Sequence, residues 1–154
     1  MTRWTPPEQW TRLKSGHGCV ICADAHLDEN PFSYLVTELP HSFVRLARNQ
    51  YMPGWTNVTL KRHASELWEL ADEELAGFWT DVARTARVLD DIYHPAKINY
   101  GVFGNLCPHV HCHLVPRMYG DDPTKPPNMT EEEVHLTMAE YTSIIETLRR
   151  QLAY

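Results

Sequence analysis

At 154 residues, with 43% hydrophobic and 22% charged side chains, the chain fits one soluble domain spanning 1–154, with room for a real core. A net charge of −6 argues against general affinity for nucleic acid or an anionic membrane surface, and no apolar run approaches the roughly 20 residues of a membrane span. The opening MTRWTPPEQW lacks the apolar stretch of a secretory signal, so the cytoplasm is the expected compartment. Thiols stay reduced there, and Cys19, Cys22, Cys107 and Cys112 read as thiols or metal ligands before disulfides.

Residues 1–16 are rich in Trp, Pro and polar side chains and predict an irregular arm. GHGCVICADAH follows, with glycines that permit tight turns around Cys19 and Cys22. Ser33–Leu39 and Ser42–Ala47 read as strands separated by a turn at Pro40 and His41, and Trp55–Lys61 as a third strand after the turn signal YMPG. The period then changes. Leu75, Phe78, Trp79, Val82, Ala86, Leu89 and Tyr93 recur at three and four, one face of a long helix with Asp72 as candidate N-cap and Pro95 limiting its far end. Lys97–Phe103 returns to strand character, and the histidine stretch is the next strand. A Pro/Asp-rich loop covers 119–129, and Thr130 with Glu133 predicts a capping box for a C-terminal helix over 130–152. The order β-β-β-α-β-β-α predicts an α+β fold, an antiparallel sheet of about five strands with a long central helix and a C-terminal helix.

GNLCPHVHCHLVPR, residues 104–117, raises the chemical question. Alternation puts His109, His111 and His113 on one strand face about 6.6 Å apart, with Val110, Cys112 and Leu114 toward the core. Three imidazoles in a row can be a satisfied polar face, a three-histidine metal site of the hydrolytic zinc type, or a nucleophile with supporting neighbours. CVIC, Cys19–Cys22, has the spacing of half a tetrahedral zinc site; a redox dithiol is the usual rival, but its βαβ context is missing. His17 and His26 flank the pair as further candidate ligands, while His41, His94 and His135 read as surface.

HVHCHLV, 109–115, is similar to the His-φ-His-φ-His-φ-φ signature of the histidine triad (HIT) family, with Cys112 as its second apolar position. YMPGWTNVTLKRH, LADEELAGFWTDV and INYGVFGN resemble that family's strand and Lys-x-His segment, the start of its long helix, and the strand before the triad. The resemblance covers roughly 19–117 and implies a HIT-like fold and a nucleotide hydrolase or nucleotidyl transferase. His111 would then attack the α-phosphorus of a nucleoside 5′-phosphoryl compound and form a nucleotidyl-imidazole intermediate. His113 would donate to phosphate or leaving group, and Asn49, Asn99 and Asn105 fall where the family places substrate-binding side chains. Asn49 reads equally as a turn residue. Asn105 stands where many members carry glutamine and Leu106 where they carry a hydroxyl, which leaves substrate choice open among dinucleoside polyphosphates, phosphoramidates, aminoacyl adenylates and adenylyl sulfate, with water or phosphate as acceptor.

The same resemblance implies that His63 and His109 complete a closed, structural zinc site with Cys19 and Cys22, one Zn2+ per chain and no organic cofactor. It also implies a homodimer, for which Trp79 and Tyr100 are candidate contacts. Two rivals stand beside this reading: a nucleotide-binding module with vestigial catalysis, and a zinc hydrolase using all three histidines as ligands.

Overall fold

A computed structural model describes residues 4–128 and 132–153. Five antiparallel strands form one sheet: β1 (Ser33–Glu38), β2 (Ser42–Ala47), β3 (Thr56–Leu60), β4 (Lys97–Gly101) and β5 (His111–Arg117). Their spatial order is β1-β2-β3-β5-β4. A meander of three strands is followed by helix α3 (Asp72–Tyr93), which carries the chain past the place β5 will take. β4 forms the outer edge, and β5 returns between β3 and β4. The predicted α+β architecture, an antiparallel sheet of five strands with a long helix and a C-terminal helix, is the one found.

Alternation decides the two faces of this sheet. Val44 and Leu46 of β2, Val58 and Leu60 of β3, and Cys112 and Leu114 of β5 point to the helical layer. There they meet Phe78, Val82, Ala86 and Leu89 of α3 and Leu148 and Leu152 of α4 (Met138–Leu152). The opposite face carries Arg45, Asn57, Thr59, His111 and His113, matched in rows by the register Arg45 to Asn57, Asn57 to His113 and Thr59 to His111. Polar side chains thus gather on the face that no long helix covers, beside Phe43 and Val115.

Two glycines are demanded by close approach. Gly77 sits mid-helix in α3, where a Cβ would lie 2.3 Å from the His41 ring, so that ring packs on bare backbone. Gly54 has φ of +82° and would place a Cβ 2.7 Å from the Tyr93 ring.

Four expectations are corrected. The arm is not irregular throughout: Pro7–Lys14 forms α1, because proline at the first helical position lacks only an amide that the helix would leave unpaired. α3 is capped by Ala71, without a side-chain cap, and Asp72 is its first residue; Asp72, Glu73 and Glu74 instead favour the positive end of the helix dipole. Thr130 lies outside the described residues, and α4 begins at Met138 with its capping box on Thr137 and Glu140. His109 is not on the strand, which starts at His111. Its amide instead closes a tight turn on the Cys107 carbonyl at 2.8 Å. No helix among the described residues is long and apolar enough to cross a membrane.

Candidate active site and metal centre

The turn at Cys107–His109 divides the histidines between two sites. His109 is 1% exposed and faces the N-terminal segment. The short helix α2 (Val20–Asp24) places Cys19 as its N-cap and Cys22 one turn later, so both sulfurs point the same way. His63, just beyond β3, closes the group. Ligand atoms of Cys19, Cys22, His63 and His109 all lie within 4.8 Å of one another, the sole such cluster of three or more among the described residues. Three sulfur–nitrogen separations, Cys19 to His109, Cys22 to His63 and Cys22 to His109, are each 3.4 Å. A tetrahedral ion bound at about 2.0–2.3 Å sets ligand–ligand edges of about 3.3–3.8 Å, so this two-sulfur, two-nitrogen set is a candidate metal centre at nearly the bound spacing.

Both imidazoles are oriented for that task. His109 Nε2 donates to the Leu60 carbonyl at 2.8 Å and His63 Nε2 to the Lys14 carbonyl at 3.0 Å. Each Nδ1 is thereby left with its lone pair toward the sulfurs. Cys107 comes within 3.5 Å of Cys19, and its S–H, followed by the His109 contact, holds the Cys19 thiol far below its usual range. Cys107 itself is pushed up by the same bond and keeps its proton. Cys22 is exposed and marks the side from which an ion can enter. His17 and His26 do not join the cluster.

His111 and His113 stand on the open sheet face with their rings 4.8 Å apart. His111 Nδ1 donates to the His109 carbonyl at 2.6 Å, which fixes the proton on that nitrogen and leaves Nε2 an unprotonated lone pair. Burial, opposed by that hydrogen bond, lowers its pKa. His113 lies between Trp55 at 5.7 Å and Phe103 at 5.8 Å, and Gly101 admits the Phe103 ring where a Cβ would lie 2.5 Å from it. Burial, then the neighbouring His111, pushes His113 down to about 3. Both imidazoles are therefore neutral near pH 7: one nucleophilic nitrogen beside one further ring.

The three asparagines take separate places. Asn99 Oδ1 accepts from Arg117 at 3.1 Å, one strand from the histidine pair. Asn105 is exposed on the turn after β4, beside the exposed Leu106. Asn49 is committed to the chain: its amide donates to the Glu132 carbonyl at 3.0 Å, and its oxygen accepts from Tyr51 and Val134 amides at 2.9 and 3.1 Å. Trp79 and Tyr100 are both partly exposed, at 37% and 49%, not core. Sequence reasoning missed Trp55 and Asn57, and it read Cys107 as one of four thiols or metal ligands without placing it beside Cys19. A signal existed for Asn57, a polar residue on an inner strand; Trp55 shares its alternation, and nothing local marks Cys107.

The HIT domain family model matches residues 29–120, and the chain belongs to that family. Among curated relatives, it is 30% identical over 90 residues to a bis(5′-nucleosyl)-tetraphosphatase (asymmetrical) of Schizosaccharomyces pombe, covering 55% of this chain and 48% of that one. It is 35% identical over 77 residues to an AP-4-A phosphorylase of Mycobacterium tuberculosis, covering 46% and 40%. The chain thus spans about half the length of the yeast relative or less of the mycobacterial one. Among solved structures, a histidine triad protein of Bradyrhizobium japonicum superposes with a TM-score of 0.72 at 22% identity, covering 98% of this chain and 99% of that one. A Zn-bound histidine triad family protein of Mycobacterium smegmatis gives 0.65 at 24% identity, covering 88% and 94%.

Proposed function

We propose that this protein is a nucleotide hydrolase or nucleotidyl transferase that acts on the α-phosphate of a nucleoside 5′-phosphoryl compound, a dinucleoside polyphosphate or a nucleoside phosphoramidate, through a covalent nucleotidyl-His111 intermediate. The observation that carries it is the 2.6 Å bond from His111 Nδ1 to the His109 carbonyl, which leaves Nε2 free to attack. In the first step Nε2 forms a bond to the α-phosphorus as the bond to the leaving group breaks. In the second, water attacks that phosphorus, the P–N bond breaks, and the nucleoside monophosphate leaves. The activities of the two curated relatives, a tetraphosphatase and a phosphorylase, support the substrate class and leave the acceptor as water or phosphate.

The candidate metal centre fits a structural Zn2+, one per chain, held by Cys19, Cys22, His63 and His109. Four protein ligands leave no open position for water, so the ion would supply cross-linking alone. It would join the N-terminal segment to β3 and to the turn whose His109 carbonyl orients His111. The Zn-bound relative supports the metal's identity. The three-histidine hydrolase is disfavoured, because His109 turns toward the cysteines and away from His111 and His113. The reading extends to a cytoplasmic homodimer that meets along the β4 edge near Tyr100; light scattering tests that arm. The deciding experiment is a panel of dinucleoside polyphosphates and phosphoramidates with products identified, followed by an alkaline quench of protein labelled in the nucleotidyl group, since a phosphorus–imidazole bond survives base and not acid. Turnover without any nucleotidyl-histidine would overturn the covalent route.

A further inference from the structure

Trp55 stands at the mouth of β3, and its indole nitrogen is 3.2 Å from two acceptors, His113 Nδ1 and Asn57 Oδ1. An indole N–H only donates, so both atoms must present lone pairs to it. For the neutral His113, that places the ring proton on Nε2. For Asn57, it turns the Nδ2 amide group away from Trp55. Asn57 and His113 are direct cross-strand partners, so the two side chains stand side by side on the open face. Asn57 is half-buried, its Nδ2 has no partner among the described residues, and no side-chain nitrogen or oxygen there is both buried and unpaired. The amide nitrogen therefore meets solvent, or whatever replaces it.

We propose that Trp55 is a positioning residue that sets the His113 tautomer and the Asn57 orientation with one shared proton, and that His113 Nε2–H and Asn57 Nδ2–H form a paired donor for the phosphoryl oxygens of the substrate attacked by His111. The inference rests on the proposed nucleotide chemistry for the identity of the ligand, but the proton placement stands by itself. Catalysis of displacement at phosphorus gains from donors fixed before the charge develops, and two donors a strand apart match the separated oxygens of a phosphoryl group. Without the indole N–H, neutral His113 exchanges its proton between nitrogens, and Asn57 is free to flip an acceptor toward an anion.

The test joins spectroscopy to kinetics. In protein labelled with 15N-histidine at pH 7, long-range proton–nitrogen correlation should show His113 as the Nε2–H tautomer. Trp55→Phe keeps an aromatic ring beside His113 and removes only the donor; the Nδ1–H form should then rise severalfold. Against a turned-over nucleotide, kcat of that variant should fall at least about tenfold with KM changed by less than about threefold, since the lost donor acts most on developing charge. Asn57→Ala should lower kcat/KM by about tenfold while leaving the His113 tautomer unchanged. An Nδ1–H tautomer in the wild-type protein, or an unchanged tautomer in Trp55→Phe, overturns the proposal without reference to any substrate. A shifted tautomer with unchanged kcat overturns its catalytic half. Should the wild-type protein turn over no nucleotide, the proposed function fails, and the tautomer readings still decide the role of Trp55.

Discussion

His109 and His111 are two residues apart, and the molecule treats them in opposite ways. The first is sealed, with Nε2 on the Leu60 carbonyl and Nδ1 among thiols; the second gives one nitrogen to a carbonyl and offers the other to solvent. A nitrogen pair fully engaged belongs to architecture, whereas a half-engaged pair belongs to chemistry. The carbonyl of His109 connects the two, since it is the acceptor that sets the His111 proton. If the metal end fails, the catalytic end should lose its aim; if the catalytic end is altered, the metal end should not notice.

The largest expected asymmetry is in activity. His111→Ala should lower turnover by at least about a thousandfold, since it deletes the proposed nucleophile, while metal content and melting temperature stay within measurement error of the wild type. Turnover comparable to wild type would dissolve the distinction between the ends. Cys22→Ser should disturb both ends: metal per chain falls well below one, the melting temperature drops by roughly 5–15 °C, corresponding to a loss of a few kcal/mol, and turnover falls with them. Full metal occupancy with unchanged melting would remove Cys22 from the ligand set. Loading the site with cadmium sharpens the comparison further: folded cadmium protein should keep most of its turnover and the same pH optimum, because in the proposed structural role the ion does no chemistry.

A smaller effect comes from protons. His113 is held down to about 3, chiefly by burial and then by His111, against about 6.5 in the unfolded chain. Between those values the unfolded chain binds a proton that the folded one refuses, so stability falls as pH drops from about 6.5 toward 3. His111, also lowered, acts in the same direction. Denaturant unfolding measured from pH 7 to pH 5, above the range where carboxylates titrate, should show this slope, and His113→Phe should reduce it. The smallest expected change is that of Cys107→Ala. Loss of the S–H beside Cys19 should weaken metal binding by about tenfold or less, with one ion still bound at saturation and kcat unchanged.

Periodicity carried much of the fold. The strands β1 to β3 and the face of α3 follow from alternation and from the three-four spacing, because each buries one face of a regular element. Ends were less legible. Thr130 with Glu133 and Thr137 with Glu140 offer the same capping signal seven residues apart, and only tertiary contacts separate them. Asn49 grips the chain at Glu132 and Val134, where backbone bonds to another element exclude the helical ladder. The site divides in the same manner. Cys19 with Cys22 declares itself by local spacing, but His63 entered through the family resemblance, since its role depends on pairing between segments far apart in sequence. The alternation that put three histidines on one face could not register the turn at Cys107–His109. Cys107, read from sequence only as a thiol or metal ligand, acquires its particular place from the 3.5 Å approach to Cys19.

The separation between Cys19 and His109, 90 residues, has a consequence for synthesis. A ribosome adding about 5–20 residues per second completes the cysteine pair roughly 5–20 s before the last ligand is made. During that interval the pair can hold a metal only loosely, with two or three of its four ligands. His109 precedes β5, the strand that must slot between β3 and β4 to complete the sheet. If these four residues hold an ion, its tight retention would coincide with insertion of β5, and metal uptake by a growing chain would report the closure of the sheet.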